Sequence, residues 1–192
     1  MLLVSSVLAG RLVLHVQAGG PPTQAAVPRE SDRVAQSYLA RGDALSETRD
    51  YAAAIAAYGS AIQLKPDFAE AYNNRGFAHY RSGNAELAIA DFTRAIELRP
   101  NYPKAYNSRG VVYMANGYES SAAIADFDRA IALKPDFRYA YINRANARLF
   151  RHPGLALTDF HRAGMHPERI LIGAAAVLLA VGVAVVKRRR SR

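Results

Sequence analysis

Apolar positions along this chain recur with two periods at once. The shorter is helical. Leu87, Ala88, Phe92, Ala95, Ile96 and Leu98 mostly keep the three-and-four spacing that puts side chains on one face of a helix. That stretch opens after Asn84, a residue type suited to an N-cap, and stops before Pro100. The segment before it, "FAEAYNNRGFAHYRSG", carries a second helical pattern and ends at Gly83, a C-cap residue type. The longer period joins such pairs into an array. Gly42, Gly76 and Gly110 lie 34 residues apart, and Ala145 takes the fourth place 35 residues on. Tyr38, Tyr72, Tyr106 and Tyr141 stand four positions earlier in each copy. Downstream, Ala54, Ala88 and Ala123 recur, then Tyr58, Phe92, Phe127 and Phe160, then Ala61, Ala95, Ala130 and Ala163. Pro66, Pro100 and Pro135 close the units; the third unit holds one extra residue near "GYESS", and the fourth is short.

The pattern has a physical reason. A small residue such as Gly76 or Ala88 lets two helices approach, so that Tyr72 and Phe92 interlock beside it. One helix pair cannot bury its apolar face alone, and stacking neighbours completes the core. A 34-residue period with an aromatic, Gly, Ala, an aromatic, Ala and Pro resembles the tetratricopeptide repeat, from about Ala35 to Pro167. The resemblance implies an all-α solenoid of three clear repeats and one degenerate one. Tyr stands where the family's first helix often has Trp, and His79 and Arg148 replace the usual later aromatic. Arg41, Arg75, Arg109 and Arg144 replace an apolar residue, and Asp91, Asp126 and Asp159 appear in the second helices just before the aromatic. Matched Arg and Asp predict an ion pair between packed helices, with a ligand-binding arginine row as the alternative.

The two ends read differently. Ile170 to Val186 contains no charge, is flanked by Arg169 and "KRRRSR", and has no polar face. As a helix it reaches about 25 Å, enough for a short transmembrane helix. The expected organisation is a signal or weak anchor over 1–18, a Gly/Pro linker over 19–32, the repeat domain over 33–167, a membrane helix over 169–187 and a basic tail over 188–192. Positive charge after the span predicts a cytoplasmic tail and an extracytoplasmic repeat domain. A tail-anchored protein with cytosolic repeats, resembling the mitochondrial fission adaptors, is the alternative. Ala176, Ala180 and Ala184 share one face of the span, a pattern that permits self-association into a homo-oligomer.

Composition narrows the function classes. The net charge of +9 suggests nucleic acid until it is located: Lys187, Arg188, Arg189, Arg190 and Arg192 supply five of the nine. No basic stripe with interleaved aromatics runs along the repeats, so no nucleic-acid partner is expected. The chain has no cysteine, hence no disulfide and no thiol nucleophile. His161 and His166 lie five apart, the wrong spacing for a two-histidine metal face, and no glycine-rich phosphate loop follows a strand. No enzyme activity, cofactor or metal is expected.

The resemblance implies a concave groove lined by the first helix of each repeat. The corresponding positions are Gln36, Leu39, Ala40 and Asp43; Glu70, Asn73, Asn74 and Phe77; Lys104, Asn107, Ser108 and Val111; and Tyr139, Ile142, Asn143 and Asn146. Asparagine amides pair with a peptide backbone whatever its sequence, and Phe77, Val111 and Ile142 add apolar contact. The expectation is a protein partner held as an extended segment, next to a lipid bilayer reached through Ile170 to Val186. A self-associating scaffold is the alternative. The lysine–asparagine clamp for a terminal carboxylate is matched at Asn74 and Lys104 but not at Leu39, Asp43 or Ser108, and Asp43 would repel a carboxylate.

Overall fold

The computed structural model describes residues 29–117, 120–149 and 151–165. Eight helices follow one another along them: α1 (Glu30–Glu47), α2 (Tyr51–Leu64), α3 (Ala69–Arg81), α4 (Ala85–Leu98), α5 (Pro103–Ala115), α6 (Ser120–Leu133), α7 (Arg138–Arg148) and α8 (Pro153–Arg162). No strand occurs among the described residues. None of these helices is long and apolar enough to cross a membrane. The expected leader (1–18), the membrane helix (169–187) and the basic tail (188–192) lie outside the described residues, as do residues 118 and 119 of the stretch "GYESS". α1 opens at Glu30, inside the stretch read as linker, because Glu30 and Asp32 place acidic charge in its first turn.

Each helix packs on its neighbours in sequence, and more closely on its partner within a unit than on the next unit. Within the first unit Asp32 reaches Lys65 while Asp43 reaches Tyr58, so one helix runs back along the other. First helices also come together across units, α1 to α3, α3 to α5 and α5 to α7, whereas among the described residues the backbones of α2 and α4, of α4 and α6, and of α6 and α8 stay apart. The first helices therefore crowd together on the inner, concave wall, and the second helices fan apart outside.

The core repeats with the sequence. Tyr58, Phe92, Phe127 and Phe160 are buried, as are Ala54, Ala88, Ala123 and Ala156 beside them. Burying one such aromatic contributes about 1.5–3 kcal/mol. The close approach is set by the small residues: a Cβ built on Gly42 would lie 2.4 Å from Tyr58 Cε1, on Gly110 2.7 Å from Phe127 Cε1, and on Gly76 3.0 Å from Phe92 Cε1. Leu87, read with the apolar face of α4, is instead 52% exposed.

The turns between paired helices need one residue in the left-handed region. Gly83 (φ 84°) and Gly117 (φ 71°) supply it in the second and third units; in the first, Arg49 adopts φ 65°. The expected cap at Asn84 makes no side-chain hydrogen bond. Asp50 does cap α2, accepting from the Ala53 amide at 3.1 Å.

The predicted Arg–Asp pairs form. Arg75 grips Asp91 with two bonds of 2.8 and 2.7 Å, and Arg109 grips Asp126 with two of 2.9 and 2.8 Å. Arg144 grips Asp159 with Nε at 2.9 Å and Nη2. Arg148 joins the last pair at 2.9 Å, which gives its departure from the aromatic pattern a structural role. These forks join the two helices of a unit, and three arginines also reach backward: Arg109 to Thr93 at 3.0 Å, Arg144 to Asp128, and Arg148 to Asp128 at 3.4 Å. Arg41 has no counterpart, because Ala57 stands where later units carry Asp.

Candidate functional site

The inner wall over the first three units encloses a cleft of about 390 Å³. α1 contributes Asp43, Ser46 and Glu47, α2 contributes Tyr58, α3 contributes Glu70, Asn73, Asn74 and Phe77, and α5 contributes Lys104 and Ser108. Seven of the groove positions inferred from sequence thus meet in one place: Asp43, Glu70, Asn73, Asn74, Phe77, Lys104 and Ser108. The others do not line it. Leu39 is 2% exposed and belongs to the core of the first unit. Gln36 and Ala40 are exposed on α1 away from the cleft lining, and Asn107 and Val111 are half-buried on α5. On α7, Tyr139 is 68% exposed, Asn146 is exposed, and Ile142 packs on the core of the fourth unit. Asn143 donates to Asn107 Oδ1 at 2.9 Å, so these two amides are already joined across units.

The floor of the cleft is a hydrogen-bonded chain with one direction. Tyr58 Oη donates to Asp43 Oδ1 at 2.8 Å, and Asn74 Nδ2 donates to the same oxygen at 2.9 Å. Asn73 Nδ2 donates in turn to Asn74 Oδ1 at 2.9 Å. The carboxylate of Asp43 fixes both amides. Turning Asn74 over would aim its carbonyl oxygen at a negative charge, so its NH2 faces Asp43 and its oxygen faces Asn73. The far end of the chain is then an acceptor. Asn73 is 1% exposed, and its Oδ1 has no hydrogen-bond partner among the described residues. An unmet buried acceptor costs about 1–3 kcal/mol, so the site is held at some expense in stability.

Charge in the cleft is lopsided. Asp43, Glu47 and Glu70 face one cation, Lys104. Among the described residues none of these four forms an ion pair. The field reaches neighbouring phenols. Burial foremost, with the Asp43 hydrogen bond next, pushes the Tyr58 hydroxyl far above its ordinary range. Tyr102, at the start of α5, is pushed up to about 12 by burial and by the nearby Glu70 and Asp43 carboxylates, against the opposing pull of Arg99. Phe77 is 40% exposed in the cleft, with Arg81 packed 5.6 Å from its ring centre and 5.3 Å from that of Tyr51.

Sequence reasoning missed Tyr58, Ser46 and Glu47. A signal for Tyr58 was present. It is the one tyrosine where later units have Phe92, Phe127 and Phe160, and a buried hydroxyl needs an acceptor.

Models of the "TPR repeat" and the "Tetratricopeptide repeat" match residues 42–83 and 69–102. A crystal structure of MamA protein is 30% identical to the chain, covers 67% of it and 70% of itself, and superposes with a TM-score of 0.59. The chain belongs to the tetratricopeptide-repeat family. This tetratricopeptide-repeat protein is also similar to the Arabidopsis OM64 TPR domain, at 25% identity over 62% of this chain and 97% of that one, with a TM-score of 0.60. The second TPR domain of human RPAP3, solved in complex with the HSP70 peptide SGPTIEEVD, is 27% identical over 62% of this chain and 98% of that one, with a TM-score of 0.58. No curated protein sequence matches it.

Proposed function

We propose that this tetratricopeptide-repeat protein is a non-enzymatic interaction module that holds an extended segment of a partner protein against α1, α3 and α5. One observation carries the reading: an open cleft on the concave wall gathers polar hydrogen-bonding groups and the exposed ring of Phe77 at positions contributed by three successive units. A relative of similar fold is captured with a peptide, and groups of this kind bind a chain by its backbone and anchor one apolar side chain. The charge-free run Ile170 to Val186, followed by five basic residues, would serve as the tether that keeps the module at a bilayer, with the repeats outside the cytoplasm.

The test is site-specific photocrosslinking in intact cells. A photoreactive side chain at position 77 should yield a discrete crosslinked partner, and the same group at position 87, exposed on the outer side, should not. Phe77→Ala in an otherwise unmodified protein should abolish co-purification of that partner. Identical crosslinking from both positions would overturn the groove reading. A reporter fused to the C-terminus that is active outside the cytoplasm would overturn the orientation.

A further inference from the structure

We propose that the cleft between α1, α3 and α5 is a receptor for a cationic side chain, so that the segment it takes is lysine- or arginine-bearing rather than acidic. This deepens the proposed peptide-binding function and rests on it. Two independent observations meet here. The first is charge: Asp43, Glu47 and Glu70 surround the cleft without an ion pair among the described residues, against the single ammonium of Lys104. The second is a surplus of acceptors. The Tyr58 hydroxyl proton and one amide proton each from Asn74 and Asn73 are committed to the chain that converges on Asp43. Asn73, 1% exposed in the lining, keeps Oδ1 unpartnered among the described residues. What such a site lacks is a donor. An ammonium or guanidinium supplies several N–H groups and no acceptor. The ring of Phe77 already carries Arg81 at 5.6 Å, and its remaining exposed surface is what is left to cover the aliphatic stem of such a side chain.

The same features disfavour the ligand held by the similar RPAP3 domain. The peptide SGPTIEEVD carries carboxylates and no basic side chain. In this cleft its glutamates would meet Asp43, Glu47 and Glu70, and like charges brought together without solvent are repulsive.

The experiment compares three fluorescent peptides on the full chain by anisotropy, all with amidated C-termini. They are SGPTIEEVD, its neutral form SGPTIQQVN and its basic form SGPTIKKVK. The basic peptide should bind about tenfold or more tightly than the neutral one, the gain for hydrogen bonds to a charged group, and the acidic one should bind weakest. Glu70→Gln with Glu47→Gln should remove most of that preference. Glu86→Gln with Asp136→Asn, which lower the charge by the same amount outside the cleft, should leave it intact. Asn73→Leu, which keeps every charge but deletes the orphan acceptor, should weaken the basic peptide by about fivefold with helicity unchanged.

Equal binding of the neutral and basic peptides, or tighter binding of the acidic one, overturns the inference while leaving a peptide groove in place. Loss of preference in the Glu86/Asp136 control also overturns it, by reducing the effect to bulk charge. Failure of all three peptides to bind, together with failure of the crosslinking test, removes the groove itself.

Discussion

Replacing Gly42 by alanine tests whether helices in a unit approach as closely as the geometry says. The added methyl would sit 2.4 Å from Cε1, 2.6 Å from Cδ1 and 2.9 Å from Cζ of Tyr58. Carbon atoms rest about 3.5–4.0 Å apart, so the ring must retreat by roughly 1 Å. It has little room. Tyr58 is 1% exposed, packed among Ala35, Leu39, Ala54, Ala61 and Ile62, and tied by its hydroxyl to Asp43. Overpacking of this kind costs about 1–3 kcal/mol. Alanine also favours the helix over glycine by about 1 kcal/mol, so the net loss expected for Gly42→Ala is on the order of 1–2 kcal/mol. The clearance widens to 2.7 Å at Gly110 and 3.0 Å at Gly76, so those alanines should cost progressively less. The fourth unit already carries Ala145 beside Phe160. Urea titration of the full chain, followed by circular dichroism, measures each change. If Gly42→Ala stabilised the protein by about the propensity term, with the three sites alike, the close-contact reasoning would be refuted.

Two further outcomes are expected. Asp126→Ala strips the fork from Arg109, whose side chain is 19% exposed, and should destabilise by about 3 kcal/mol; Arg109→Met with Asp126→Leu should recover most of that loss, and a double variant no better than the single would contradict the ion-pair account. His79 is held below its ordinary pKa, by burial first, with Arg75 adding to the effect and Asp91 opposing it. The unfolded chain therefore takes up that proton first as pH falls through about 6.5. Stability is fully present above that value and declines on acidification. His79→Phe, which restores an aromatic ring where the next unit has Tyr113, should reduce the drop in urea midpoint between neutral and mildly acidic pH. An unchanged drop would sink this assignment.

Much of the fold was legible because it is written several times. A register held across Gly42, Gly76 and Gly110, with Tyr58, Phe92 and Phe127 opposite, leaves one way to pair the helices. The recurring Arg and Asp announced their pairing for the same reason. What occurs once was harder to read. Arg49 fills a left-handed turn that glycine fills elsewhere. Asp50 caps α2 although Asn84 does not cap α4. Seven of the sixteen groove positions taken from the repeat meet in the cleft, but the state of their side chains was not legible. Whether an asparagine is free depends on its neighbours in space, and Asn73, Asn74, Asn107 and Asn143 bind one another or Asp43. At Asn73 and Asn74 that arrangement comes from a single pair, Asp43 with Tyr58, which has no equivalent in later units.

The backward reach of Arg109 to Thr93, and of Arg144 to Asp128, gives the solenoid a sense of time. A growing chain emerges from its amino end, so the third and fourth helix pairs each bring a clasp for the pair before them. Synthesis and fastening then run in the same direction, and a half-finished array waits on one loose edge.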